Sequence, residues 1–441
     1  MKVSNMKTIV ALLVVLLMCV SLLSACQSGN NQAAGGGGST TTKDTTITIW
    51  VKKALTDIVN DMIQERCLQF GVDKDITVKV EIIAYEDFYT KWAAAIESGN
   101  LPDVTYVDDA AVGEFVGGGL LEDISDIYSA IDAKSSFYDS LDTSMAFDGK
   151  HYGIPAWTSS QVMYYRKDIL ADKGLSVPTT WDEYRDVAIA TTDTANGIYG
   201  AGIGFGSANS DQEQLIRTMM WSFGAKEFEN GKASVNSPEG IACAKYVRQL
   251  FVEDKVTPPS SINWDDAGNN KAFLSGQAVT IFNTGSVLNA MKTDDPELYE
   301  KTGIAPVPTG PAGSFALGII DGFSIFKDAK NKDLGKELIE YLLDIDWYGS
   351  WVVNAAPLQV PVFPELAKHE VWQEERNIAF LDNAQNYFYF GYPDPFTTAA
   401  GEVANLHLYD TAFQDILVSG VDPEIALANL DTEMQKIHDA Q

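Results

Sequence analysis

Strands and helices alternate along the chain from residue 46 onward, and this alternation restricts the fold more than any other feature of the sequence. The β-branched stretches Thr46–Val51 and Ile76–Ile83 predict strands, and Ala54–Phe70 between them has apolar residues at helical spacing. A second amphipathic helix is predicted at Glu86–Ser98, and a short apolar strand follows at Val104–Val107. The pattern predicts an α/β lobe with a mainly parallel sheet.

Helix start signals continue through the rest of the chain. Thr180–Glu183 has the spacing of a capping box, and Ser237-Pro238 and Asp422-Pro423 each place a cap residue before a proline at the first helical position. The other predicted elements are strands at Val279–Phe282 and Gly318–Phe326 and helices at Lys332–Leu343 and Pro423–His438. The length of 441 residues, 46% of them hydrophobic, favours two domains or lobes.

The N-terminal region has the pattern of a targeting segment. Lys2 and Lys7 precede an apolar run at 9–20, which is shorter than the roughly 20 residues that a membrane-spanning helix needs. Leu23–Cys26 resembles a bacterial lipobox, so we predict a lipoprotein signal peptide at 1–25, lipidation of Cys26 and a flexible tether at 26–45. The alternative is an ordinary signal peptide with an incidental cysteine. Both place the remaining chain outside the cytoplasm.

The chain is strongly acidic. It has 61 acidic and 31 basic residues, and two of the basic ones precede Cys26, so the remaining chain has 29 basic residues against 61 acidic. This balance disfavours nucleic acid and tight binding to anionic lipid, both of which require basic patches. The acidity fits neutral or cationic solutes, although solubility alone would also explain it.

Signals for a metal, a cofactor or catalysis are missing from the sequence. Cys67 and Cys243 lie on apolar helical stripes and are predicted to be buried thiols, so no disulfide framework is expected. The histidines share no metal or triad spacing, and they are His151, His369, His407 and His438. No serine has a nucleophile-elbow context and no phosphate-binding loop is present. We therefore expect no metal, no cofactor and no enzyme activity.

An ordered series of motifs carries a family resemblance. Asp148–Trp157 contains Tyr-Gly-Ile-Pro, Tyr164–Leu170 begins Tyr-Tyr-Arg-Lys-Asp, and Val177–Tyr184 contains Pro-Thr-Thr-Trp-Asp-Glu. Weaker matches occur at Leu101–Val104, Gly119–Leu121, Ala272–Ala278, Pro306–Pro311 and Ala329–Asp333. Together these segments resemble family 1 extracellular solute-binding proteins, the maltose-binding-protein-like group that serves ABC sugar importers.

The resemblance implies a two-lobed periplasmic-binding-protein fold of type II, an α/β fold with discontinuous lobes and a ligand cleft between them. It places 46–157 plus 320–365 in the N-terminal lobe and 158–319 plus 366–441 in the C-terminal lobe. Crossings are expected near Trp157, near Ile319 and between Pro361 and Lys368. Hinge closure is the expected transition, and it requires that the ligand bind the closed state better than the open one.

Several candidate ligand contacts follow from the first crossing and from the first sheet. The resemblance places contacts at Trp157 and Ser159, although many relatives have an acidic residue where Ser159 stands, and Trp157 could instead pack between the lobes. Asp108 and Asp109 follow a strand whose carboxyl end faces the expected cleft, or they could form a solvated pair or a helix cap. Asp321 interrupts an apolar strand and needs a partner, either a ligand hydroxyl or a backbone amide.

The remaining candidates come from the second lobe and the C-terminal region. Asn283 ends a predicted strand, and Trp264 and Asp265 precede a predicted helix in a region that carries contacts in the family. The tract Tyr387–Phe396 is dense in aromatics but interrupted by glycine and proline, which favours a loop. Within it, Tyr392 and Phe396 are the predicted stacking residues. Asp211 and Gln214 begin a helix that is expected to face the same cleft.

The resemblance implies a monomeric binding protein that delivers a mono- or oligosaccharide to an ABC permease with a separate ATPase. Aromatic rings that pack on sugar C–H faces, and planar acceptors for hydroxyls, fit the candidate residues. Two alternatives stay open at this point. One is a binding protein for another solute such as a polyamine, which carboxylates and aromatics also suit. The other is a surface carbohydrate-active enzyme with a carboxylate pair.

Overall fold

The computed structural model describes residues 45–207, 209–384 and 387–440. Its strands are β1 Thr46–Lys52, β2 Thr77–Ile83, β3 Val104–Asp108, β4 Ala146–Phe147, β5 Lys150–His151, β6 Ile154–Ser159, β7 Val162–Arg166, β8 Tyr199–Ala201, β9 Ala278–Asn283, β10 Thr302–Ala305, β11 Ala316–Leu317, β12 Ile319–Ser324 and β13 Tyr387–Phe388. The predictions for Cys26, the signal peptide and the tether up to residue 44 lie outside the described residues.

The α-helices are α1 Asp57–Lys74, α2 Phe88–Ser98, α3 Asp109–Gly117, α4 Ser125–Asp132, α5 Lys167–Asp172, α6 Trp181–Thr191, α7 Ser210–Phe223, α8 Pro238–Arg248, α9 Gly268–Leu274, α10 Ser286–Asp294, α11 Pro296–Lys301, α12 Lys332–Leu342, α13 Ile345–Asn354, α14 Ile378–Ala384, α15 Thr398–Asn405, α16 Leu408–Gln414 and α17 Pro423–Asp439. Short 3₁₀ turns occupy Tyr85–Asp87, Asp139–Leu141, Pro259–Asn263, Pro364–Lys368 and Glu370–Gln373, and π turns occupy Gln249–Glu253 and Asp415–Ser419.

The first lobe is built around a sheet with the strand order β2-β1-β3-β12-β6. β1 is parallel to both of its neighbours, whereas β12 is antiparallel to β3 and β6. The alternation in the first 60 residues of the described chain therefore gives the expected parallel strands. The sequence did not show that a strand from position 319 onward would insert beside β3.

The second lobe is built around a sheet with the order β10-β7-β9-β8. β7 is antiparallel to β9 and β10, and β8 is parallel to β9. A second core forms between this sheet, α6, α7, α8 and the C-terminal helices, with Trp181, Met219 and Phe413 fully buried. The other core surrounds the first sheet and extends onto the second sheet through Val162, Tyr164 and Ile281.

Short segments carry the chain between the two sheets. Only residues 160–161 separate the end of β6 in the first sheet from the start of β7 in the second. Residues 306–318 return the chain from β10 to β12, and within them β11 pairs in parallel with β13. After α14, the chain reaches α15, which packs on α3 of the first lobe and on α17 of the second. The lobe boundaries at 157/158, 319/320 and 365/366 stay predictions.

Local patterns explain how single elements form. On α1, Val59, Ile63, Cys67 and Phe70 are buried at the spacing that the sequence showed, although the helix begins at Asp57 and not at Ala54. Cys67 and Cys243 are buried free thiols, as predicted, and burial raises the pKa of Cys67 to about 12. Neither thiol is therefore poised for reaction.

The predicted helix caps form. Thr180 Oγ1 accepts a hydrogen bond from the Glu183 N–H, and Ser237 Oγ accepts one from the Gly240 N–H. These contacts satisfy N–H groups that the first helical turn leaves without partners. Within the described part of the chain, every helix is too short or too polar to cross a bilayer.

Asp103 joins three parts of the first lobe, and we expect its removal to destabilise the fold. It is 6% exposed, and its carboxylate accepts hydrogen bonds from the Thr48 N–H of β1 at 2.9 Å and from the Asn331 N–H before α12 at 2.9 Å. Asp103→Ala leaves two partly buried N–H donors unpaired, so the free energy of unfolding should fall by about 2–4 kcal/mol in urea titrations. Asp61→Ala, at an exposed position of α1, is the control. A loss for Asp103→Ala no greater than that of the control would contradict this prediction.

Candidate functional site

A cavity of about 510 Å³ lies between the two lobes. Its volume is within the range of small-molecule sites in proteins. The first lobe contributes Tyr85, Tyr89, Asp108, Asp109, Ala110 and Glu114, the crossing contributes Ile319, and the other side contributes Ser210, Glu213, Gln214, Phe390, Ala404, Asn405 and His407. The lining therefore combines aromatic rings with carboxylates, amides and a histidine.

Two buried aspartates at the carboxyl end of β3 form the polar part of the first-lobe wall. Asp108 Oδ1 caps α3 by accepting the Ala111 N–H at 2.8 Å, and its Oδ2 accepts the Tyr85 hydroxyl at 3.2 Å. Asp109 is the first residue of α3 and is 3% exposed. Burial is the main cause that raises the pKa of both carboxyls, and Asp109 is raised further by the neighbouring charges of Asp108 and Asp321. Both aspartates thus line the cavity, and Asp108 is also the helix cap that the sequence left open.

Asp321 lies directly behind this wall, because β12 pairs with β3 so that Asp321 stands opposite Asp108. Its carboxylate accepts hydrogen bonds from Lys52 Nζ at 3.1 and 3.2 Å and from the Tyr106 hydroxyl. The partners within the protein are thus side chains and not the backbone amide that was one expectation, and a contact of Asp321 with a ligand hydroxyl stays a prediction. A lysine at the end of β1 neutralises the buried charge, and Asp321 is not among the cavity-lining residues.

The second-lobe wall is organised by α7. Asn209 caps this helix by accepting the Gln212 N–H at 3.0 Å, and Glu213 in the first turn is buried at the cavity. Glu213 Oε1 accepts a hydrogen bond from Arg217 Nη2 at 2.7 Å, and its Oε2 lies 2.9 Å from His407 Nδ1. The hydrogen bond to Glu213 is the main cause that raises the pKa of His407.

Arg217 connects this wall to the aromatic tract. Its side chain is fully buried, and Nη1 donates to Glu227 Oε2 at 2.5 Å, which also accepts the Gly391 N–H at 2.9 Å. The guanidinium lies 5.0 Å from the centroid of the Phe390 ring and 4.2 Å from that of Tyr409. Arg217 therefore holds the backbone at Gly391 and packs against the ring of Phe390 at the cavity.

The cavity has accessible aromatic surface. Tyr85 is 46% exposed and Tyr89 is 39% exposed. The hydrogen bond from the Tyr85 hydroxyl to Asp108 and the Lys52 ammonium 4.7 Å from the Tyr85 ring centroid restrict the orientation of that ring. A ring that is held but exposed suits packing against an apolar ligand face.

The predicted contacts at the first crossing are not at the cavity. Trp157 is 2% exposed, its ring stacks on Tyr106 at 6.0 Å and meets Trp351 edge-on at 5.4 Å, so it lies in the core of the first lobe. Ser159 is buried in β6 opposite Ile319. Neither residue lines the cavity, and any contact of theirs with a ligand stays a prediction.

The predicted contacts in the second lobe lie in a polar cluster beyond the cavity lining. The Asn283 amide donates to Asp211 Oδ2 at 2.8 Å and to Asn270 Oδ1 at 2.5 Å, so its polar atoms have partners within the protein. Trp264 is half-buried against Gly204 and Gly268. Asp265 is exposed and 3.7 Å from Lys271. Of this region, Gln214 does line the cavity.

The aromatic tract contributes a different residue than expected. Tyr392 packs edge-on against Phe388 at 4.8 Å and Trp221 at 5.9 Å. Phe396 is 6% exposed and packs on Phe147. Of this tract, it is Phe390 that lines the cavity. The tract begins with β13 and continues from residue 389 as a turn and irregular chain, which agrees with the loop that its glycine and prolines predicted.

Sequence reasoning missed Tyr85, Glu213 and His407. Tyr85 follows β2 at the same edge of the sheet as Asp108, so the rule about strand ends applied to it as well. His407 and Asp410 are three residues apart at the start of a helix, which was a detectable spacing. No local signal connects His407 to Glu213, which is 194 residues away.

Comparisons with known proteins agree with this architecture. The model of the family described as bacterial extracellular solute-binding protein matches residues 38–347. The galactooligosaccharide-binding protein of Bacillus subtilis (strain 168) is 24% identical over 400 residues, which cover 87% of each chain.

Solved structures show the same fold. A solute-binding protein of an ABC transporter from Thermotoga lettingae TMO, bound with α-D-tagatose, superimposes with a TM-score of 0.76 at 21% identity, covering 90% of this chain and 100% of its own. Maltose-bound T. maritima MalE3 gives a TM-score of 0.74 at 23% identity, covering 89% and 99%. These matches confirm the resemblance and the two-lobed α/β fold that the sequence predicted.

Asp211 should make stability depend on pH. Burial, followed by the nearby charge of Asp266, raises the pKa of Asp211 to about 7, whereas the pKa of an aspartate in an unfolded chain is about 3.9. The contribution of the Asp211 carboxyl to the free energy of unfolding is complete below its pKa in the unfolded chain. It is lost as pH rises through its pKa in the folded protein. Because Asp211→Asn cannot ionise, the unfolding free energy of the wild type minus that of the variant should fall by about 3 kcal/mol between pH 4.5 and 7.5.

Urea titrations at several pH values measure this difference. Asp61→Asn, which replaces an aspartate at an exposed position, is the matched control for the same substitution. Parallel stability curves for the wild type and Asp211→Asn would show that Asp211 ionises normally in the folded protein.

Proposed function

The chain belongs to the bacterial extracellular solute-binding protein family, and we propose that it captures a mono- or oligosaccharide in the cavity between its lobes for an ABC importer. The observation that carries this proposal is the composition of the cavity wall. Exposed rings of Tyr85 and Tyr89 lie beside the carboxylates of Asp108 and Asp109, opposite Glu213 and other polar groups.

Such a wall matches the two surfaces of a sugar. The C–H faces of a pyranose pack on aromatic rings, and its hydroxyls donate to carboxylates and exchange hydrogen bonds with the amides of Gln214 and Asn405. A buried polar group that loses its partner costs about 1–3 kcal/mol. A cavity of this kind therefore discriminates between hydroxyl patterns.

The charge of the cavity narrows the ligand class. Among the described lining residues, four are carboxylates and none is lysine or arginine. Lys52, which lies behind the first-lobe wall, already pairs with Asp321. Uronic acids and phosphorylated sugars would meet repulsion here, whereas neutral sugars would not.

Related proteins support a carbohydrate over the other solutes considered. The relative from B. subtilis is named for galactooligosaccharide, and the two solved structures contain tagatose and maltose. The family and these relatives are binding proteins, which supports capture without catalysis.

Closure of the lobes would couple capture to transport. The two sheets are joined by segments as short as residues 160–161, and the cavity lining is shared between the lobes. A sugar that contacts Asp109 and Glu213 together stabilises the closed arrangement, because the open one separates these walls. We propose that the closed, monomeric protein docks on a pair of membrane permease subunits driven by a separate ATPase.

A family of bacterial extracellular proteins implies a location outside the cytoplasm. We propose further that Cys26 carries a lipid that anchors the protein to the outer face of the cell membrane. The sequence around Cys26 and the Gly/Ser/Thr-rich stretch that follows it support this anchor.

A ligand screen tests the carbohydrate proposal, followed by a variant at the exposed aromatic wall. Melting temperature is measured with neutral mono- and oligosaccharides, uronic acids and spermidine, and sugar products are followed by chromatography. We expect a neutral sugar to raise the melting temperature without being cleaved. Tyr85→Ala should then weaken its binding by about 1–3 kcal/mol in calorimetry, because a packed ring is lost.

Tyr199→Ala, a half-buried aromatic of the second lobe outside the cavity, should bind like the wild type. A response to spermidine alone would replace the sugar with a polyamine as the solute, and turnover of an oligosaccharide would show an enzyme. Unchanged sugar affinity in Tyr85→Ala would place the sugar elsewhere.

Labelling with a fatty acid in a bacterial host tests the anchor. We expect the wild type to incorporate the label and to stay with the membrane, and Cys26→Ser to lose both because the thioether cannot form. Cys19→Ala, a neighbouring cysteine of the predicted signal peptide, should keep the label. Equal labelling of wild type and Cys26→Ser would reject Cys26 as the acceptor.

A further inference from the structure

Three side chains with metal-binding groups meet on the second-lobe wall. Glu213 comes from α7, Asp410 from α16, and His407 immediately precedes α16. One ligand atom from each lies within 4.8 Å of the other two. Glu213 and His407 also line the cavity, so the cluster is reached from the cavity.

The separations of these atoms suit one shared ion. His407 Nδ1 lies 2.9 Å from Glu213 Oε2 and 3.6 Å from Asp410 Oδ2. Nitrogen and oxygen ligands lie about 2.0–2.2 Å from a zinc ion, which places neighbouring ligands of a tetrahedral ion roughly 3.3–3.5 Å apart. Small side-chain shifts would therefore bring all three atoms into contact with one ion.

An unpartnered carboxylate oxygen gives an independent indication. Asp410 is 1% exposed, and its Oδ2 accepts the Asn209 N–H at 2.7 Å. Its Oδ1 is buried and has no hydrogen-bond partner. Because a buried acceptor without a partner is costly, this oxygen favours an additional ligand at the cluster.

The balance of charges around the cluster is negative. Arg217 is shared between Glu213 and Glu227, so one positive charge serves two carboxylates before Asp410 is counted. Protonated His407 would supply one further positive charge at most. A divalent cation would neutralise the remaining carboxylate charge and would be held by it.

We propose that Glu213, His407 and Asp410 bind one divalent metal ion of the zinc or manganese class. One imidazole and two carboxylates form a mixed donor set, which suits these ions better than magnesium or calcium. Three protein ligands leave at least one coordination position, and the exposure of Glu213 and His407 to the cavity directs it there. A ligand hydroxyl or water completes the coordination.

This site goes beyond the proposed sugar binding and is tested without any sugar. Protein freed of metal with a chelator is titrated with Zn²⁺, Mn²⁺, Mg²⁺ and Ca²⁺ in a calorimeter. We expect one saturable site for Zn²⁺ or Mn²⁺. His407→Ala and Asp410→Asn should each weaken it at least about tenfold.

The controls separate metal binding from folding and from surface histidines. His369→Ala removes an exposed histidine that is not part of the cluster and should leave the affinity unchanged. The His407 side chain is 28% exposed, so its replacement is expected to keep the fold, which urea titration of each variant checks. Because Asp410 is buried, the metal affinity of Asp410→Asn is used only if this variant keeps its unfolding transition. If it does not, the metal affinity of His407→Ala alone tests the proposal.

Two outcomes would overturn the proposal. The first is no one-to-one binding of either ion by the wild type, which would mean that protons alone balance the cluster. The second is unchanged affinity in a folded His407→Ala variant, which would place the ion elsewhere. Sugar affinity measured on chelator-treated protein keeps the two proposals apart, because sugar binding can persist when metal binding fails.

Discussion

The return of the chain to place β12 between β3 and β6 is the constraint on which the rest of the structure depends. Because this strand comes after the whole second sheet in sequence, the first lobe is completed only when the second has been traversed. β12 also runs antiparallel to β3, which sets Asp321 directly opposite Asp108. The strand pairing that completes the first sheet therefore also places Asp321 behind the first-lobe wall of the cavity.

The position of Asp321 requires that a basic side chain lie behind the first-lobe wall. A carboxylate in the middle of a buried strand must be neutralised, and Lys52 from the end of β1 does so together with the Tyr106 hydroxyl. Lys52 is thereby paired within the protein, and the described residues that line the cavity include neither lysine nor arginine. The acidity of the first-lobe wall itself comes from Asp108, Asp109 and Glu114.

In the second-lobe wall, a buried arginine pairs with the buried carboxylates. Arg217 is buried between Glu213 and Glu227, and the Glu227 carboxylate also accepts a hydrogen bond from the Gly391 N–H. This arrangement connects α7, the loop at Gly391 and the Glu213 carboxylate to one another. Removing one member of such a buried group is costly because it leaves the others uncompensated. The two walls are therefore each rigid, and movement between lobes is left to the connecting segments.

The sequence by itself determined the properties that depend on neighbouring residues: the alternation of strands and helices, the caps at Thr180 and Ser237, the burial of Cys67 and Cys243, and the family. Periodicity and capping act over a few residues, so they can be seen in one sequence. It also placed Asp108 and Asp109 near the cavity, because the direction of a strand fixes where its end lies.

The tertiary structure decided which of the remaining candidates reach the cavity. Trp157 lies in the core because Tyr106 and Trp351, from distant elements, cover its ring. Phe390 and not Tyr392 faces the cavity, because Phe315, Phe388 and Trp221 pack around Tyr392. Glu213 meets His407 only through the docking of α7 against α16. Side-chain exposure depends on what other elements cover, and contacts between residues 194 apart leave no mark on the local pattern of either.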